Sequence, residues 1–113
     1  MKDRYLFKAK RVGDGKWVVW NIFSGLYGAD IDKSTICQCT GLKDKKGKLI
    51  WENDIVVCRD FTEEKYVIAW KQYEACFEYQ QYGCSIMNFE QLSGCEVEVV
   101  GNIFDNPELE SEG

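Results

Sequence analysis

The chain has 113 residues, enough for one domain that needs neither a disulfide nor a metal to fold. With 45% hydrophobic residues and a single proline, it is not a disordered polypeptide. A formal net charge of −5 makes nucleic acid a poor first partner, because binding phosphates means neutralising them.

The start, MKDRYLFKAKR, carries charges throughout and has no apolar centre, so it does not read as a signal peptide. No apolar run approaches the ~20 residues that span a membrane. The protein is therefore expected in the cytoplasm, where cysteines stay thiols. Tyr5–Arg11 and Lys16–Phe23 flank VGDG, whose glycines suit a tight turn, and they predict an N-terminal β-hairpin. Ser24–Lys33 reads as a connecting loop broken by Gly25 and Gly28. A short strand is expected from Thr35 to Cys39. In TGLKDKKGKLI, the centre DKKG predicts a type I turn closed by a left-handed glycine.

Asp54–Arg59 reads as the next strand, entered through a sharp bend at Asn53, since asparagine tolerates left-handed dihedrals. FTEE then turns into the strand KYVIAWK, and ACFEYQ follows as another. In Gly83–Ser93, the apolar positions Ile86, Met87, Phe89 and Leu92 fit one or two helical turns. Val97 and Val99 alternate with Glu96 and Glu98 as in a strand with one buried face. Gly101 interrupts that strand as a bulge or a close-approach glycine would. Asp105 or Asn106 is placed to cap a final short turn that begins at Pro107. Short strands separated by turns predict a mainly β fold of small, curved antiparallel sheets with at most one short helix.

The candidate chemistry is sparse. Cys37, Cys39, Cys58, Cys76, Cys84 and Cys95 contain one close pair, C-x-C, inside a predicted strand. Zinc ligand pairs usually sit two to four residues apart on turns, whereas this spacing puts two small thiols on one strand face. The chain has no histidine, which removes the familiar Cys–His and Ser–His nucleophile pairings. Asp32, Asp44, Glu52, Asp54 and Asp60 match no calcium-loop or metallohydrolase pattern and suit solvated turns. GLKDKKGK lacks the phosphate-loop spacing, and a hairpin tip explains it more simply. Lys43, Asp44, Lys45, Lys46 and Lys48 nevertheless form the candidate interaction loop. The aromatics Trp17, Trp20, Trp51, Trp70, Tyr66, Tyr73, Phe77, Tyr79 and Tyr82 read mainly as core and sheet cover, with room for one exposed cluster facing a protein partner.

The stretch TICQCTGLKDKKGKLIWENDIV resembles the signature of the YopX family, small proteins encoded by phages and prophages of low-GC Gram-positive bacteria. Thr35, Gln38, Thr40, Gly41, Leu42, Asp44, Gly47, Ile50, Trp51, Glu52, Asp54, Ile55 and Val56 carry the likeness; within it Gly41 and Gly47 read as turn glycines, and Asp44 and Asn53 as residues that satisfy turn backbones. A second block, EVVGNIFDNPEL, adds Gly101, Asn102, Asn106 and Pro107, and the opening RYLFKAKRVGDGKWV also fits. Lys33 stands where the family often has proline, and Asn53 where it usually has glycine. The resemblance implies one domain over residues 1–113, related to SH3-type barrels. An N-terminal hairpin at about 4–23 would pack on a barrel-like portion at about 34–106. It implies no established activity and transfers no catalytic or cofactor-binding residue.

The expectation is thus a non-enzymatic accessory protein without cofactor or metal. It would act by binding a host or phage protein, or by self-association into a homo-oligomer. A nucleic-acid-associated regulator using Lys43–Lys48 and an aromatic face is the alternative. An enzyme holding a cation on Glu52 and Asp54 ranks last, since acids at a bend are useful locally as acceptors for backbone amides.

Overall fold

A computed structural model describes residues 5–23, 25, 30–58, 64–71, 76–81, 84–88 and 97–111. The described strands are β1 (Leu6–Lys10), β2 (Trp17–Asn21), β3 (Cys37–Lys43), β4 (Leu49–Trp51), β5 (Asp54–Val57), β6 (Lys65–Lys71), β7 (Cys76–Gln81), β8 (Cys84–Asn88) and β9 (Glu98–Asn102). A 3-10 turn covers Lys33–Thr35, and the helix α1 covers Pro107–Ser111. Two antiparallel sheets result, with strand orders β2-β1-β3-β4 and β8-β7-β6-β5-β9. The mainly β expectation holds, and two such sheets are compatible with the SH3-related fold implied by the resemblance.

The predicted hairpin is β1 and β2, in register from Leu6 opposite Asn21 to Lys10 opposite Trp17. Gly15 takes φ 70° in its turn, a conformation that residues with a Cβ adopt rarely. Two sequence expectations move. Thr35 belongs to the 3-10 turn, where its hydroxyl donates to Asp32 O and accepts from Lys10 N. The following strand then runs on through Lys43 instead of ending at Cys39. It does so across a bulge, because Cys39 faces Trp51 and Lys43 faces Leu49. Gly41 at φ 85° makes that bulge, so its role is in the strand and not in a turn. Thr40 Oγ1 donates to Ile50 O across the irregular pairing. The helical reading of 83–93 is corrected for its described part. Cys84–Asn88 is β8, paired with β7, and ladder partnership outweighs an apolar spacing too short to set a period. Phe89–Ser93 lie outside the described residues, as do Asp60, the FTEE turn beyond Asp60 up to Glu63, Tyr73, Tyr82 and Cys95.

The chain passes from one sheet to the other at Glu52–Asn53. Asn53 adopts φ 72°, as the bend required, and its amide donates to Ile68 O while its carbonyl accepts from Ile103 N. Alternation along β4 serves two cores at once. Ile50 joins Val56, Cys58, Tyr66, Ile68, Tyr79, Val97 and Val99, whereas Trp51 joins Cys37 and Cys39 under Leu6, Trp17, Leu49 and Phe104. The C-x-C thiols are thus buried on one face of β3.

β9 carries both features anticipated at Gly101. The β5–β9 register slips, with Ile55 opposite Gly101 and Val56 opposite Val99. A Cβ at Gly101 would also lie 2.5 Å from Asn106 Oδ1. That oxygen accepts from Asn102 N at 3.2 Å, so Asn106 turns back on the turn instead of capping α1. Gly101→Ala should displace Asn106 and cost about 1–2 kcal/mol, the scale of one lost hydrogen bond plus local strain. Chemical denaturation of the variant checks this, and an unchanged midpoint would refute the close-approach role.

Candidate functional site

Where β1 and β4 of the first sheet meet β5 and β9 of the second, the structure leaves a cleft of about 490 Å³. Its lining comes from Lys8, Lys48, Leu49 and Trp51 on one side and from Asp54, Val99–Asn102, Asp105 and Asn106 on the other. Several residues of the two sequence blocks, far apart in the chain, therefore share one concavity. The size falls within the ~300–1,000 Å³ usual for small-ligand sites.

Lys8 is positioned by aromatic faces. Its ammonium lies 4.5 Å from the centre of the Trp17 ring and 4.9 Å from that of Trp51, a cation–π arrangement on two sides. Trp17 is itself fixed, donating from Nε1 to Asp105 Oδ2 at 2.9 Å and meeting Phe104 edge-on. Asp105 also bonds Lys10 Nζ and accepts from Asn102 Nδ2. The hydrogen bonds from Lys10 and Trp17 hold its carboxyl down at about 2. Asn102 Oδ1 accepts from Phe104 N and Asp105 N, which shapes the turn under the cleft. These contacts clamp the N-terminal hairpin to the C-terminal turn.

Asp54 is the unusual member. It is 3% exposed, and its Oδ2 accepts from Trp51 N at 2.8 Å. Burial raises its carboxyl to about 6, against the smaller opposing pull of that amide and of Lys8 and Lys48. Glu52, two residues earlier, faces elsewhere, and its Oε1 accepts from Gln38 N on β3. Burial raises its carboxyl too, with the Gln38 amide opposing. The two acids are thus spent on different backbone amides, and only Asp54 lines the cleft. Among the described residues, no three of Cys, Asp and Glu gather into a metal-holding group.

Cys37 is equally inert by position. Burial pushes its thiol up, which outweighs the hydrogen bond from Asn53 Nδ2, and a thiol kept protonated is a weak nucleophile.

The candidate interaction loop divides in two. Lys43, Lys45, Lys46 and Lys48 are exposed, whereas Asp44 is 4% exposed. Asp44 Oδ1 accepts from Lys46 N and Lys48 N, and its Oδ2 accepts from Val99 N, each at 2.9 Å. Lys45 N adds a bond to Val97 O, and Lys46 Nζ pairs with Glu98 at 3.0 Å. The loop is therefore laced to β9, with Asp44 as its internal post and not as part of a binding face. Gly47 closes it at φ 85°, as DKKG required. The sequence carried no sign that Lys8, Trp17 and Asp105 would meet Asp54, since their approach depends on how the hairpin docks.

Exposed large apolar side chains gather at the hairpin. Val12, Val19 and Ile22 are more than half exposed, and Phe23 is 79% exposed. β2 is an end strand of its sheet. Among the described residues, no helix is long and apolar enough to cross a membrane.

A family model described as YopX protein matches residues 7–110, nearly the whole chain. No curated protein matches it.

Proposed function

Because the chain belongs to the YopX family, we propose that it is a phage or prophage accessory protein, non-enzymatic, working in the host cytoplasm by protein–protein binding. The observation that carries this reading is the apolar exposure along β2 and just beyond it, Val19, Ile22 and Phe23, on an end strand of the first sheet. An end strand presents backbone donors and acceptors, and flanking apolar side chains add the burial that strand addition needs. The buried, unactivated thiol of Cys37 and the divergence of Glu52 from Asp54 agree with a protein that performs no covalent chemistry.

Val19→Lys combined with Phe23→Lys should leave the fold intact, because both positions are exposed. The double variant should lose at least about tenfold in partner capture from lysogenic cells, as loss of a central apolar contact does. Sedimentation of the purified protein distinguishes a second copy from a foreign partner. Retained capture would overturn the assignment of this edge.

The alternative, a nucleic-acid-associated regulator, has the exposed Lys43, Lys45 and Lys48 in its favour. Filter binding that falls with salt and weakens in Lys45→Glu plus Lys46→Glu would put that reading in first place.

A further inference from the structure

The interaction edge leaves the cleft unexplained. Three features there are hard to account for by folding alone. The first is volume: about 490 Å³ stays open beside two packed cores. It is a solvent-open concavity walled by both sheets, of the size that small ligands occupy. The second is Asp54, a nearly fully buried carboxylate that lines the cleft and makes one backbone hydrogen bond, through Oδ2. The third is unmatched positive charge. Among the described residues, the ion pairs are Lys10–Asp105, Arg11–Asp14 and Lys46–Glu98, and neither Lys8 nor Lys48 takes part in one.

The charge balance selects the ligand. Asp105 is neutralised by Lys10 and engaged by Trp17 and Asn102, so it offers no free carboxylate. Lys48 also feels the charge of Asp44, but that carboxylate is buried, engaged by three backbone amides and absent from the lining. Apart from the engaged Asp105, Asp54 is therefore the one acid with which Lys8 and Lys48 share the cleft wall. A cation would meet two ammoniums. An anion would meet two partners, one of them held in place by the rings of Trp17 and Trp51. Leu49, Trp51 and Val99 supply apolar wall, which a bare inorganic ion would not use. Polar groups at defined points on an apolar wall are the usual make-up of a small-molecule site.

We propose that the cleft binds a small organic anion, with a phosphate or carboxylate group held between Lys8 and Lys48 and an apolar portion against Leu49, Trp51 and Val99. Asp54 faces that group from the opposite sheet and limits its affinity by like charge. The site adjoins the hairpin edge, since Val19 pairs opposite Lys8 and Trp17 of β2 holds the Lys8 ammonium, but its test reads ligand binding and not partner capture, so it can stand or fall without the interaction reading.

Tryptophan fluorescence and amide chemical shifts, titrated with inorganic phosphate, phenyl phosphate and benzoate at neutral pH and low salt, test the proposal. Saturable changes centred on the cleft are expected, with phenyl phosphate about tenfold tighter than inorganic phosphate because only it covers the apolar wall. Saturation by benzoate but not phenyl phosphate would assign a carboxylate ligand, and the reverse a phosphate. Lys48→Met is exposed and should fold normally, yet weaken binding about tenfold, and Asp54→Asn should tighten it several-fold. Opposite signs from the two variants are the decisive result, since a merely structural role for either residue would not produce them. No saturable change with any probe, or equal binding in wild type and Lys48→Met, would overturn the site.

Discussion

Replacing Asp44 by alanine is expected to lower the folding free energy by roughly 2–4 kcal/mol, a large share of the ~5–15 kcal/mol typical of a domain this size. The carboxylate accepts three backbone amides, of which the Val99 amide is buried and cannot turn to water instead. The amides of Lys46 and Lys48 are partly buried and recover some solvation, which keeps the total below three full penalties. Asp44→Asn should lose about half as much, since its amide oxygen can replace only one of the two carboxylate oxygens and its NH2 group would confront a backbone donor. The effect has a defined pH dependence. Burial works to raise the Asp44 carboxyl, but the amides of Val99, Lys48 and Lys46 outweigh it and hold the group below its ordinary 3.8. Its stabilisation is therefore complete above 3.8 and disappears as pH falls through the lower folded value. Urea denaturation from neutral to acid pH should show the wild-type advantage closing only in strong acid. A loss under about 1 kcal/mol at neutral pH would mean that the loop holds to β9 by other bonds.

Asp54 should behave with the opposite sign. Asp54→Asn is expected to stabilise the protein by roughly 1–3 kcal/mol at neutral pH, which is unusual for a change at a buried residue. The folded carboxyl lies near 6 against 3.8 unfolded, because burial disfavours its charge. Its contribution is thus most favourable below 3.8 and is lost as pH rises through about 6. Asparagine keeps an acceptor for Trp51 N and carries no charge to bury. The gain should shrink steadily from pH 7 to pH 4 and vanish below. A variant less stable than wild type at pH 7 would show that Lys8 and Lys48 compensate the buried charge fully. A buried acid that lowers stability, at the wall of an open cleft, fits a position kept for binding better than one kept for folding. The two acids belong to one sequence block, yet Asp44 ties the loop to β9 and Asp54 holds a charge that burial disfavours.

Much of the fold was legible because it rests on local dihedral demands. DKKG closed with Gly47 left-handed, and Asn53 made the bend that glycine or asparagine can make. The alternation of Val97 and Val99 gave a buried face. The C-x-C pair packed as two thiols on one face, as period-two geometry dictates. The misses have a common cause. Gly41 sat in a bulge whose existence depends on register with β4, and β8 formed where its pairing with β7 overrode a weak apolar spacing. Asp44 accepted from the turn backbone as expected, but it had also been placed with the exposed lysines, and only the approach of β9 buried it. The cleft lay beyond reach entirely, since Lys8, Asp54 and Asp105 come from three elements distant in the chain.

By itself, the sequence determined the mainly β class, the turns, the thiol character of the C-x-C pair and the family, since each follows from dihedral preference or short-range spacing. The tertiary structure alone decided which acids are buried, which lysines make no ion pair among the described residues, and that an open volume lies between the sheets. Those properties depend on how two sheets dock, and docking is set by side-chain contacts between residues that the chain order keeps far apart.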